Sequence, residues 1–200
     1  MQKIAVFGGT FNPIHNGHLH LAENFYKILN ADKFLFIPTY VPPHKVSIEL
    51  APACDRLEMC RIAAENTPFE VSDIEIRRGG ESYTSDTLKE LKKKYGQDSA
   101  LYLILGEDMF VTLEKWHEPE TIYSLATLCA APRSKTGYDN LMHHAIKLRR
   151  KGADVLIADI EYLPVSSTQI RLALKENENL SEYVPKGVAD YISKKHLYSE

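Results

Sequence analysis

Short apolar runs alternate with helical periodicities along the 200 residues of this chain. KIAVFG (3–8) is apolar and partly β-branched, the pattern of a buried parallel strand. Leu19, Leu21, Ala22, Phe25, Ile28 and Leu29 then recur at helical spacing within 17–29. KFLFIP (33–38) predicts a second strand, stopped by Pro38. Residues 39–52 hold three prolines and read as a loop inside the domain. Helical spacing returns over 53–65, and FEVSDIEIRR (69–78) alternates as a strand does. A loop and a helix fill 79–96, and ALYLILG (100–106) carries the strongest buried-strand pattern. LATLCAAP (125–132) and DVLIADI (154–160) predict two more strands. SSTQIRLALKENENL predicts a helix with a polar start, and PKGVADYISKKHLY a last short helix docked at the edge.

Strands that alternate with helices predict an α/β fold. The expected architecture is a Rossmann-like, doubly wound, mainly parallel sheet with helices on both faces, formed by 1–200 as one domain. Such sheets bind ligands beyond the carboxyl ends of their strands, so chemistry is expected in the strand-to-helix loops. No internal repeat or low-complexity segment interrupts the pattern.

Charge and cysteine usage narrow the function classes. The formal net charge of −3 gives no overall basic field for nucleic acid, and KLRRK (147–151) reads as a solvated helix end. Nucleotides remain compatible, because local basic groups can outweigh a small net charge. Cys54, Cys60 and Cys129 are odd in number and lack C-x-x-C spacing, which argues against a disulfide framework or a Cys-rich zinc site. A reducing cytoplasm fits best. MQKIAVFGG lacks the length and flanks of a signal peptide, and no apolar stretch approaches the ~18 residues that a membrane span needs. Whether the chain forms a homo-oligomer is not written in this pattern.

The first connection carries the most chemistry. Gly8 and Gly9 end the first strand and predict a tight turn with close backbone approach to a ligand. A helix beginning near Gly17 would aim its free N–H groups at the same space, an anion site by geometry. The stretch supplies neither G-x-G-x-x-G nor the G-K-[ST] of a P-loop, so another group must neutralise a phosphate. His15 and His18 are the candidates, able to donate to phosphate oxygens whose charge grows during transfer. The plainer reading is that a histidine near a helix end caps it or stays solvated. A metal site at His15, His18 and His20 is a third reading, but no cysteine or carboxylate stands at ligand spacing nearby.

The string GGTFNPIHNGHL closely resembles the signature of the H-x-G-H nucleotidyltransferase family, with His15-Asn16-Gly17-His18 as that motif. The resemblance implies that His15 and His18 contact ATP phosphates and stabilise the transition state. It also places Gly8, Gly9, Thr10, Phe11 and Gly17 along the ATP, with Thr10 at the α-phosphate. Asn12 stands where many members carry Asp, a change that costs a charge and keeps capping ability.

PVSSTQIR (164–171) is a second signal. Ser166, Ser167 and Thr168 precede an apolar-periodic run and serve as N-caps on the plain reading. Three hydroxyls exceed what capping needs, and Arg171 lies one turn on, so together they can clamp a phosphate. The stretch resembles the family's S-S-T-x-I-R signature, which implies that Ser167, Thr168 and Arg171 bind the β- and γ-phosphates of ATP. C-terminal helices from about 167 would then complete the ATP site.

Between these signatures, PPHK (42–45), SYTSDTL (82–88), GED (106–108) and Trp116-His117 resemble the bacterial nicotinate-nucleotide adenylyltransferase branch. DRLEMCRIA (55–63) is similar to its second helix. A lone tryptophan is more often core, yet Lys115, His117 and Glu118 tilt Trp116 towards a pocket rim. Carried over, Trp116 would stack on the nicotinate ring, Thr84 and nearby backbone N–H groups would hold its carboxylate, and Ser82 and Tyr83 would belong to the same substrate site. His44 and Lys45 would favour the mononucleotide phosphate, and Gly106 and Asp108 would contact adenosine. The implied reaction joins nicotinate mononucleotide to ATP, giving deamido-NAD and pyrophosphate, with Mg²⁺ arriving as Mg-ATP. Phosphopantetheine adenylyltransferase shares both signatures but is typically shorter and is not expected to carry the middle blocks. Use of nicotinamide mononucleotide, and a non-catalytic nucleotide sensor on the same fold, are the other readings.

Overall fold

The computed structural model describes residues 1–43, 50–176 and 178–198. Lys3–Gly9 forms β1, the strand on which the sheet is built. It pairs in parallel with β2 (Lys33–Pro38) on one side and β4 (Ala100–Leu105) on the other. β3 (Phe69–Val71) continues outward from β2, while β5 (Ala126–Ala130) and β6 (Val155–Ile157) continue from β4. The order β3-β2-β1-β4-β5-β6, with every pair parallel, is the doubly wound arrangement.

The two-residue period of each strand divides its side chains between two cores. Ala5, Phe7, Phe34, Phe36, Ile104 and Cys129 enter one, with the aromatic rings of Phe7, Phe34, Phe36 and Phe69 in mutual contact. Ile4, Val6, Leu35, Ile37, Leu103 and Leu128 enter the other. The first core is covered by α1 (Asn16–Leu29), α2 (Ala53–Ala64), α8 (Ser167–Lys175) and α9 (Lys186–Lys195). The second is covered by α4 (Thr84–Tyr95), α6 (Pro119–Leu125) and α7 (Lys135–Arg150). Strands buried on both faces explain why their sequences read as continuous apolar runs. Among the described residues, no helix is long and apolar enough to cross a membrane.

Three stretches differ from the sequence pattern. Residues 69–78 do not form one strand: only Phe69–Val71 has a partner on β2, and Ile74–Arg78 is a helical turn, α3. The Ser72 N–H still reaches the Phe36 carbonyl, after which Arg77 closes the turn onto Asp73 through both backbone and side chain. Gly8 and Gly9 make no tight turn; they are the last paired residues of β1, opposite Ile37 and Pro38. The turn falls instead on Phe11, whose φ of 47° is left-handed. Finally, α5 (Glu107–Phe110), a 3₁₀ turn at Leu113–Lys115, α6 and α7 fill stretches whose apolar spacing predicts no helix, apart from the KLRRK end of α7.

Phe36 is fully buried at the centre of the aromatic cluster. Phe36→Ala is expected to cost about 3–5 kcal/mol in urea unfolding, with the m-value unchanged. A loss below about 1 kcal/mol would show that the cluster collapses around the gap.

Candidate active site

The sheet reverses its direction of growth between β1 and β4, and a cleft of about 590 Å³ opens there at the strands' carboxyl ends. Every described residue expected at the site lines it, from Gly8 in β1 to Arg171 in α8. His44 and Lys45 lie outside the described residues.

The connection from β1 to α1 forms the floor. A Cβ on Gly8 would meet nothing within 4 Å, so its Cα faces space that a ligand can enter closely. A Cβ on Gly17 would instead press on the His15 ring at 3.1 Å and on the Val165 carbonyl at 3.4 Å. His15 is the N-cap of α1, and its N–H donates to His18 Nδ1 at 3.2 Å. The two imidazoles stack with centroids 3.6 Å apart, and the Phe11 ring meets His18 edge-on at 5.0 Å. Burial, helped by the Arg133 guanidinium, pushes the His15 imidazole down to about 3. His15 is therefore neutral near pH 7 in the free cleft and can offer a phosphate a hydrogen bond. Its Nδ1 is buried without a hydrogen-bond partner among the described residues. His20 turns to the Glu161 carbonyl at 2.8 Å.

Asn12 does not cap the helix. Its Oδ1 accepts from the Ala51 N–H at 3.0 Å and the Tyr198 hydroxyl at 2.8 Å, fastening the floor to two distant segments.

The start of α8 forms one wall, and its three hydroxyls divide the work. Ser166 is the N-cap and accepts from the Gln169 N–H. Ser167 donates to the Pro13 carbonyl at 3.0 Å, tying α8 to the floor. Thr168 Oγ1 accepts from Arg171, whose Nη1 donates to the Asn12 carbonyl at 2.9 Å. The guanidinium thus stands at the rim of the cleft, beside the floor.

The opposite end is aromatic. Trp116 is half-buried, packed on the second core while lining the cleft. The Tyr83 and His117 rings lie 4.2 Å apart beside it. Ser82 Oγ accepts from the Tyr40 N–H at 2.8 Å, and Thr84 opens α4. Beneath them Glu75 is buried, and desolvation raises its carboxyl pKa despite hydrogen bonds from the Thr87 and Ser82 hydroxyls.

Arg133 is a cation at the cleft that the sequence reading does not single out. It follows β5, lines the cleft, and pairs with Asp108 at 2.7 Å while its N–H donates to Glu107. Its place just beyond a strand's carboxyl end was the available signal. Glu75 was hidden because residues 69–78 read as one strand.

An all-parallel doubly wound sheet, with H-x-G-H and S-S-T-x-I-R facing one cleft at its switch point, defines a nucleotidyltransferase-type architecture. The chain belongs to the cytidylyltransferase-like family, whose family model matches residues 6–173. It is 41% identical over 202 residues to a Desulfitobacterium hafniense protein named "Probable nicotinate-nucleotide adenylyltransferase", covering 98% of this chain and 96% of that one. A Dehalococcoides mccartyi protein of the same name is 39% identical over 197 residues, covering 98% of this chain and 97% of that one. Among solved structures, Plasmodium falciparum nicotinic acid mononucleotide adenylyltransferase complexed with NaAD superposes with a TM-score of 0.81 at 21% identity. That match covers 99% of this chain and 98% of the other, and is a likeness of fold.

Folding holds the His15 imidazole neutral, whereas the unfolded one protonates near 6.5. Unfolded chains then bind the extra proton, so stability falls as pH drops from 6.5 towards about 3. His15→Asn should remove about 2 kcal/mol of the stability lost between about pH 7 and about pH 5, seen as a shallower trend in urea midpoints. An unchanged trend would mean that the folded imidazole titrates normally.

Proposed function

We propose that this chain transfers the adenylyl group of ATP to nicotinate mononucleotide, forming deamido-NAD and releasing pyrophosphate, a step of NAD biosynthesis. The observation that carries this reading is one cleft with two chemically distinct ends. One end joins the two histidines to the hydroxyls and arginine of α8, and the other joins Trp116 to the start of α4. Relatives at 39% and 41% identity over nearly their full lengths bear the name of this activity.

The mononucleotide phosphate attacks the α-phosphorus of ATP in line, and pyrophosphate leaves from the opposite side. A phosphate dianion is already a nucleophile, so no general base is required. The task is to hold two anions together and stabilise charge as it moves. Arg171, and Arg133 beside Asp108, supply permanent positive charge at the cleft. The neutral His15 and the adjacent His18 supply hydrogen bonds from a dry, preorganised floor. Gly8 lets ATP lie against the backbone, and Gly106 and Asp108 face the nucleoside. Among the described residues, no three His, Cys, Asp or Glu side chains converge in a way that could hold a metal ion. Mg²⁺ would arrive with the substrate as Mg-ATP, screening the phosphates and keeping several waters. The indole of Trp116 offers a flat face for the pyridine ring, with Tyr83 and Thr84 at its edge.

Pyrophosphate release with Mg-ATP should be fast with nicotinate mononucleotide and slow with phosphopantetheine. Release with phosphopantetheine alone would reassign the aromatic end, and no release with either would leave a nucleotide sensor. His18→Ala should lower kcat on the order of a hundredfold while mononucleotide affinity changes little. Trp116→Ala should instead raise the mononucleotide KM roughly three- to tenfold at near-normal kcat. An unchanged KM would make the indole purely a packing group.

A further inference from the structure

Glu107 opens α5 beyond the carboxyl end of β4, and its half-buried carboxylate crosses to the start of α7. Oε2 accepts from the Arg133 N–H at 2.7 Å. The group lies so close to the main chain of α7 that a Cβ on Gly137 would stand 2.5 Å and 2.8 Å from its two oxygens. Capping does not explain this contact, because Ser134 already caps α7 by accepting from the Gly137 N–H at 3.0 Å. Arg133 precedes that cap, so its N–H is not one of the orphan donors of the helix. What Glu107 fixes is the residue just outside the helix. A second bond joins the same two segments, since Arg133 Nη1 donates to Asp108 Oδ2 at 2.7 Å. Arg133 is thus held to α5 at its main chain and at its guanidinium, and this double hold sets where the charge stands. Nη2 lies 3.7 Å from where a Gly106 Cβ would be, and the same charge helps to lower the pKa of the buried His15 imidazole. The guanidinium therefore bears on both the Gly106 side and the histidine side of the cleft.

We propose that Glu107 is a positioning residue for ATP: seated against Gly137, it fixes the main chain of Arg133 so that the guanidinium faces the triphosphate. This rests on the assignment of the ATP end above. A carboxylate bound to a main-chain N–H beside a helix N-terminus is favoured by the charge-assisted bond and by the helix dipole. Any side chain at 137 would meet it, so Glu107 and Gly137 form one device. Glu107 acts only through Arg133 in this scheme.

The test is the Kd of the full chain for adenosine 5′-(α,β-methylene)triphosphate with Mg²⁺, measured by titration calorimetry with no mononucleotide present. Arg133→Ala should raise the Kd about tenfold. Gly137→Ala removes no charged group, yet its methyl displaces the Glu107 carboxylate. It should raise the Kd at least about threefold, and so should Glu107→Ala. Neither change should weaken binding further in the Arg133→Ala background, where Glu107 has no guanidinium left to place. A change in stability alone leaves the Kd unmoved while the protein stays folded. A Kd within about twofold of the unaltered protein's in Gly137→Ala, Glu107→Ala or Arg133→Ala overturns the proposal. If Glu107→Ala does not fold, the other two variants decide. Effects that persist in full in the Arg133→Ala background overturn it equally, since Glu107 would then act by another route. Pyrophosphate release by the same preparation reports separately on the assigned reaction. Release with insensitive Kd values defeats only the positioning, whereas an unaltered protein that binds no analogue loses the ATP end and the positioning together.

Discussion

Three carbonyls in the connection between β1 and α1 are each satisfied by a side chain from elsewhere. Thr10 receives Arg56 of α2, Asn12 receives Arg171 of α8, and Pro13 receives the hydroxyl of Ser167. A backbone that leaves a sheet and crosses buried ground cannot leave its polar groups unpaired, and here no neighbouring strand or helix turn supplies the partners. Each orphaned carbonyl would cost about 1–3 kcal/mol. The floor therefore has a defined shape only because distant helices close on it. The same closure brings the hydroxyls and guanidinium of α8 to the cleft.

Electrostatics follow from that arrangement. The dense floor strips water from His15, and an imidazole in that setting stays neutral. Fixed positive charge is left to arginines, whose guanidinium groups remain ionised under almost any burial. In the proposed reaction, directional hydrogen bonds would come from the floor and charge from the walls. At the aromatic end, burial raises the pKa of the Glu75 carboxyl against hydrogen bonds from Thr87 and Ser82.

Much of this was legible in the sequence, for physical reasons. β1, β2, β4 and β5 are apolar on both faces, and such runs announce themselves. His15-Asn16-Gly17-His18 and the run before Arg171 were legible because a helix N-terminus has a narrow chemical vocabulary. What escaped depended on partners. The strand at 69–78 ends after Val71, opposite Phe36, although β2 runs on to Pro38, and the chain turns into α3. Gly8 and Gly9 looked like a turn, yet the left-handed residue is Phe11, whose own ring lies 3.1 Å from where a Gly9 Cβ would stand. Asn12 looked like a cap and is a tether, because His15 takes the cap position. Arg133 and Glu75 carry no local motif, and only the closed cleft gives them meaning.

The bond from the Tyr198 hydroxyl to Asn12 Oδ1 spans 186 positions of sequence. The same carboxamide oxygen also takes the Ala51 N–H, so early and late parts of the chain meet at one atom. During synthesis from the N-terminus, β1 and β2 can pair long before that contact exists, because sheet and floor rely on segments made at different times. The cleft therefore lacks one of its tethers until Tyr198 is in place. A nascent chain halted before residue 198 holds the histidine motif on an unfinished floor.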